Sequence, residues 1–147
     1  MTESSIHSGL VVEIEHLLRQ IAKEVRRRGR DILSDFSITP PQFDALIYLS
    51  EFGDLTIGEL SSKLYLAYST TTDLVDRMER NDLVERVRDK NDRRVVRLHM
   101  KERGRDLIEK VLIVRRESLE KALVHVESKD LAPLVTALSE IYNHISD

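Results

Sequence analysis

Two helix-start signatures in close succession constrain this chain more than any other feature. In Thr39-Pro40-Pro41-Gln42, a threonine able to cap a helix precedes a proline at the first helical position, where its missing N–H is no loss. Gln42 stands where it can complete a capping box. Thr56-Ile57-Gly58-Glu59 repeats the threonine-to-acid spacing, and Gly53 lies between the two to end the first helix. A short separate helix is therefore expected as far as Leu64. After a brief break, the run from Tyr68 to Arg80 carries Thr71, Leu74, Val75 and Met78 on one face. Its other face offers two acid-first pairs at helical spacing, Asp73 with Arg77 and Asp76 with Arg80. The pattern predicts a short helix, a tight turn and a second helix.

The flanks are helical too. Leu10, Ile14, Leu17, Leu18, Ile21 and Val25 fall on one face of a long amphipathic helix. The basic run Lys23, Arg26, Arg27, Arg28 and Arg30 suits the negative end of its dipole, although Gly29 weakens the last turn; it reads as a solvated helix end rather than a nucleic-acid arm. Beyond Arg80, the segment Leu83 to Arg88, the polar stretch Asp89 to Asp92 and the segment Arg94 to Met100 read as a β-hairpin. In its second strand Val96, Leu98 and Met100 alternate with Val95, Arg97 and His99. Helical period returns from Lys101 to about Val126. A last helix carries Leu131, Leu134, Leu138, Ile141 and Ile145 as a heptad-like stripe, suited to packing on the first helix and on a second subunit. With Asp130 as its cap, Pro133 would sit in the first turn. The expected fold is mainly α with a small β-hairpin wing.

Composition removes whole chemistries. The 147 residues include no cysteine, so no disulfide, thiolate metal site, cysteine nucleophile or thiol switch can be built. The histidines His7, His16, His99, His125 and His144 show no pair one helical turn apart. With no glycine-rich phosphate loop, nucleophile motif or metal-ligand spacing, the chain is not expected to be an enzyme or to hold a cofactor. Its apolar runs are short, as in Ala45 to Leu49, which predicts a soluble cytoplasmic protein with no membrane partner. The formal charge of -3 argues weakly against nucleic acid, but its distribution changes that view, although composition alone favours a solvated charged loop for the basic stretch. Between Arg86 and Arg97 stand six cations and two anions, whereas Asp106 to Asp147 holds five basic and eight acidic residues. Because salt screens charges beyond about 8 Å, such a local patch can bind phosphate on an acidic protein.

A helix, a turn, a second helix with hydroxyls near its start and a basic hairpin together form a device for reading duplex DNA, the helix fitting the major groove and the hairpin reaching phosphates or the minor groove. The segment LSSKLYLAYSTTTDLVDRMERNDLVERVRDKNDRRVVRLHM resembles the DNA-binding core of the MarR family of bacterial transcriptional regulators. The marks are STTTDLVDRMER in the second helix, DLVER leading into the hairpin and DKNDRR at its tip. The resemblance implies a winged helix-turn-helix at residues 37–100, flanked by dimerisation helices at 1–36 and 101–147, with Tyr68 to Arg80 entering the major groove. It also implies that Arg94 lies in the minor groove, oriented by Asp92, with Arg93 near phosphate.

The residues themselves add detail. Ser69, Thr70 and Thr72 can bond phosphate oxygens or base edges, and Arg77 is the cation placed to touch backbone. Arg86, Arg88 and Lys90 extend the cationic surface of the hairpin. Asp73 either accepts from cytosine N4 or holds Arg77, the second being favoured by its local spacing. Three positions depart from the family pattern: Tyr65 replaces a common turn glycine, Ala67 replaces a capping Ser or Thr, and Asp73 stands where a basic residue is frequent. With two cations against three anions from Tyr68 to Arg80, affinity should depend heavily on the wing. The implied function is a homodimeric regulator, by family habit a repressor, that binds an inverted-repeat operator on double-stranded DNA and is released by a small-molecule effector. Absence of cysteine excludes thiol-based peroxide sensing, and the histidine spacing disfavours zinc sensing. The alternative is a winged-helix dimer that binds protein instead of DNA.

Overall fold

The computed structural model describes residues 3–145, so the first and last two residues of the flanking segments lie outside the described residues. The chain divides into two compact units, Met1–Arg115 and Arg116–Asp147. The first contains α1 (Glu3–Arg27), α2 (Arg30–Asp35), α3 (Pro40–Phe52), β1 (Leu55–Thr56), α4 (Ile57–Leu64), α5 (Tyr68–Arg80), β2 (Val84–Arg88), β3 (Val96–Met100) and the start of α6 (Glu102–Leu123). The second contains the end of α6 and α7 (Ser128–Ile145). The result is a mostly helical chain with a small antiparallel sheet, the fold class its sequence predicts.

Both capping signatures act as helix starts. Gln42 Oε1 accepts from the Thr39 N–H at 3.0 Å, and Gly53, at φ +79°, closes α3. Thr56 Oγ1 accepts from the Glu59 N–H at 3.1 Å and opens α4. Thr56 has a second role that the sequence did not reveal. With Leu55 it forms β1, which pairs antiparallel with β3 through Leu55↔Leu98 and Thr56↔Arg97, making a sheet of three strands in the order β1-β3-β2 where a two-stranded hairpin was expected.

Two further expectations are corrected. The first long helix ends at Arg27, and α2 begins at Arg30 after Gly29 takes a left-handed φ of +86°, so the predicted 1–36 segment holds two helices. The Val111 side chain lies 3.0 Å from where a Cβ on Gly29 would stand, so both space and backbone favour glycine there. In addition, α7 starts at Ser128 and not after Asp130, whose N–H instead bonds the Glu127 carbonyl at 2.9 Å; Pro133 therefore sits inside the helix.

Three helix ends in the first unit close alike. The N–H after each left-handed residue reaches back five positions: Ile38 to Leu33 at 3.0 Å, Leu66 to Ser61 at 3.1 Å and Leu83 to Met78 at 3.0 Å. The left-handed residues are Ser37, Tyr65 and Asp82, none of them glycine. Each closure turns an apolar side chain (Ile38, Leu66 or Leu83) back onto the core. That core gathers Phe43 and Leu46 of α3, Leu60 of α4, Leu74, Val75 and Met78 of α5, Val84 and Leu98 of the sheet, and Leu107 and Val111 of α6. Burying each such side chain contributes about 1.5–3 kcal/mol, and this packing fixes the face that α5 leaves to solvent.

Candidate nucleic-acid interface

Helix α5 presents its polar face because the other is committed. Thr71, Leu74, Val75 and Met78 are buried, and the Thr71 hydroxyl donates to the Ala67 carbonyl at 3.1 Å, so this threonine belongs to the core. Tyr68, Ser69, Thr70, Asp73 and Arg77 are exposed, and Thr72 is half-buried with its hydroxyl donating to the Tyr68 carbonyl at 3.0 Å. Ala67 offers no side-chain cap, which leaves first-turn N–H groups of α5 open to an external acceptor such as a phosphate.

The charge pairs on this helix differ from those read off its spacing. No ion pair joins Asp73 and Arg77 among the described residues, so the favoured role of Asp73 in holding Arg77 is not realised. A solvent-exposed pair at that spacing contributes only about 0.3–0.5 kcal/mol, too little to fix two mobile side chains. Asp76 does not pair with Arg80 either, because Arg80 Nε donates to the Asp76 backbone carbonyl at 3.3 Å. The Asp76 carboxylate faces Arg86 of β2 instead. Arg86 donates to Asp76 Oδ1 at 2.7 Å and to Glu79 Oε1 at 2.8 Å, while its own N–H donates to Glu79 Oε2 at 3.2 Å. The Asp76 bond, followed by charge attraction to both acids, raises the Arg86 pKa against its partial desolvation. Arg86 thus clamps the wing to α5, and its guanidinium is already engaged on both sides.

The wing tip is organised by two aspartates. Asp89 Oδ1 accepts from the Asn91 N–H at 2.7 Å and the Asp92 N–H at 3.1 Å, its other oxygen meets Arg97, and its N–H donates to the Val95 carbonyl at 2.9 Å. Arg88 donates to the Arg93 carbonyl at 3.0 Å. Asp92 holds Arg94 with two parallel bonds, Nε to Oδ1 and Nη2 to Oδ2, each 3.0 Å, and accepts from the Arg94 N–H at 3.1 Å. The Arg94 side chain is nonetheless 90% exposed. It is a guanidinium fixed in direction and free at its outer edge, as a groove-inserted arginine requires. Lys90 and Arg93 are exposed beside it. The predicted site residues therefore divide between two surfaces: the hydroxyl face of α5 and the cationic tip of the wing, joined by Arg86.

Both wing aspartates have lowered pKa values, Asp89 chiefly through the Asn91 and Asp92 N–H groups and Asp92 chiefly through Arg94. Carboxylates depressed in the folded state hold their structure at and above the ordinary aspartate range and lose it as pH falls through the folded value. The amide resonances of Asn91, Asp92 and Arg94 should accordingly stay constant from pH 7 to about 4, the unperturbed aspartate value, and move only below it. A titration centred above that value would contradict the wing geometry.

Neither the Asp76–Arg86–Glu79 clamp nor the Arg97–Asp89 pair has a signature in the sequence, because each joins residues on different elements. The His99 Nδ1 contact with Asp54 at 2.8 Å, between β3 and the turn after α3, was equally hidden. Among the described residues no cluster of His, Asp or Glu is fit to hold a metal ion, and no helix is long and apolar enough to cross a membrane.

Comparison with known proteins agrees with this fold. A model of the MarR family matches residues 38–96, from the start of α3 to the start of β3. The uncharacterized HTH-type transcriptional regulator YsmB of Bacillus subtilis is 47% identical over 92% of this chain and 92% of its own length. The structure of a MarR family protein from Bacillus stearothermophilus superposes with a TM-score of 0.84 at 46% identity, covering 100% of this chain and 99% of the other. A transcriptional regulator from Thermotoga maritima gives a TM-score of 0.76 at 34% identity, with 92% and 98% covered.

Proposed function

This chain belongs to the MarR family of helix-turn-helix transcriptional regulators, DNA-binding proteins and not enzymes, and from that premise we propose that it acts as a homodimeric repressor on an inverted-repeat operator. The observation that carries the reading is the bidentate Asp92–Arg94 pair at a 90% exposed wing tip. An exposed ion pair contributes little to stability, typically under about 1 kcal/mol, so its fixed direction is best explained by what it meets outside the protein. In this reading α5 enters the major groove, with Ser69, Thr70 and Thr72 offering hydroxyls to phosphates or base edges. Asp73, released from Arg77, is free to accept from cytosine N4, and Arg77 reaches backbone. Arg93, Lys90 and Arg88 add charge along the wing. Arg86 contributes by holding the wing at a set angle to α5.

Unpartnered apolar surface supports the homodimer. Leu10, Leu17 and Ile21 on α1 are each about half exposed, and α7 buries none of its residues although it carries Leu134, Leu138, Ile141 and Ile145. Apolar helix faces of this kind mark association sites. Residues 1–36 and 101–147 then supply subunit contacts and 37–100 read DNA, the first turns of α6 also closing the core through Leu107 and Val111. Ile141→Glu should convert a dimer to a monomer in sedimentation velocity, because an unpaired carboxylate is strongly disfavoured in an apolar interface. A variant that still sediments as a dimer would remove α7 from that interface.

A small-molecule effector releases such a dimer only by binding more tightly to the arrangement in which the two recognition helices no longer match successive grooves. Selection from a random pool of duplexes tests the reading as a whole. An inverted repeat with half-sites about one helical turn apart, roughly 10 base pairs, is the expected product. Recovery of unrelated sequences would instead favour a winged-helix dimer that binds protein.

A further inference from the structure

We infer that Tyr65, in the turn between α4 and α5, is a further DNA contact whose phenol hydroxyl donates to a backbone phosphate beside each half-site, an inference that rests on the DNA-reading function proposed above. Tyr65 takes a left-handed φ of 54° and ψ of 39°, a conformation that glycine adopts freely and an L side chain only against strain. The other two left-handed residues explain themselves within the fold. Asp82 is a residue type that tolerates this region and its carboxylate meets Lys101, while Ser37 is small and its carbonyl accepts from Asn81 Nδ2 at 3.3 Å. Tyr65 has neither justification. Its side chain is 94% exposed, packs into no cluster, and its hydroxyl has no hydrogen-bond partner among the described residues. The left-handed backbone of Tyr65 closes α4 and turns Leu66 onto the core, but the phenol ring adds nothing to that closure, which points to a role for the ring outside the fold.

Position supplies that role. Tyr65 stands one turn ahead of Tyr68, itself 62% exposed, at the end of α5 that leads a recognition helix into the groove. Side chains in the preceding turn then lie along the groove rim, where phosphate oxygens accept from tyrosine hydroxyls.

Two variants separate strain, ring and hydroxyl, with binding measured on a labelled duplex of about 30 base pairs, enough to hold two half-sites, carrying the repeat recovered by selection. Tyr65→Gly should raise the Tm by roughly 2–4 °C by relieving the backbone. It should also weaken binding about 10²-fold, the equivalent of two lost hydrogen bonds to charged groups, one at each half-site. Because tyrosine carries no charge, the dependence of affinity on salt should not change, unlike the loss of an arginine. Tyr65→Phe should weaken binding to a similar degree at unchanged Tm. Wild-type affinity in Tyr65→Gly would overturn the contact, and wild-type affinity in Tyr65→Phe would overturn the hydroxyl's part in it. If the unmodified protein ignored the duplex, the DNA-reading function would fall first and this inference with it.

Discussion

Arg94→Ala is expected to abolish most operator affinity while leaving the protein folded and dimeric. The side chain is 90% exposed and bonds only Asp92, so its removal takes nothing from the core and the Tm should not change. In the complex its guanidinium would lie in a narrow minor groove, where negative potential is concentrated and water largely displaced. A hydrogen-bonded charged contact of that kind is worth about 2 kcal/mol per subunit, so a dimer losing two should bind roughly 10³-fold more weakly. The slope of log affinity against log salt should become shallower by about two units, one phosphate-equivalent cation from each subunit. Asp92→Asn should give a smaller loss in fluorescence anisotropy titrations, because it retains the arginine but removes the carboxylate that aims it. Undiminished binding by Arg94→Ala would remove the wing from the interface.

Gly104→Ala is expected to be strongly damaging, because an added Cβ there meets the tightest contact of any glycine in the first unit. A Cβ at Gly104 would stand 2.7 Å from the Leu83 carbonyl oxygen, 3.0 Å from Met100 Cγ and 3.1 Å from Leu46 Cδ2. The side chains can yield, but the oxygen cannot move cheaply: it accepts from the Lys101 N–H at 2.9 Å, and the Leu83 N–H closes α5. Alanine ordinarily favours a helix over glycine by about 1 kcal/mol, so propensity alone predicts stabilisation. Overpacking against backbone outweighs it, at about 1–3 kcal/mol and occasionally more, and the net result should be a Tm lower by several degrees, roughly 3–8 °C. A Tm equal to or above that of the unmodified protein would show that α6 can shift away from β2 more easily than this packing implies.

These two sites mark how far the sequence can be read. Local rules placed α5 at Tyr68 to Arg80 and the starts of α3 and α4, because caps and apolar periodicity are encoded within a few residues. The Asp92–Arg94 pair at the DKNDRR tip was legible through the resemblance to the family, not through local periodicity. What escaped depends on residues brought together by folding. β1 is only Leu55–Thr56, too short for alternation to register, and exists because β3 lies beside it. In the sequence the break between α1 and α2 reads as a weak last turn, because a single glycine signals either outcome. Helical spacing pairs Asp76 with Arg80, yet Arg86 on β2 provides a half-buried guanidinium between two acids and wins the carboxylate. Gly104 carries no sequence signal at all; only the proximity of Leu83 makes it necessary.

The proposed function requires cationic wing tips and recognition helices to engage duplex phosphates from a symmetric dimer. Anisotropy of a labelled inverted-repeat duplex, titrated with the protein from about 50 to 200 mM salt, tests it most directly. If the dimer neutralises six or more phosphates, affinity should fall by about 10³-fold or more across that range. Binding that is absent at the lowest salt, or that scarcely changes across the series, would contradict it.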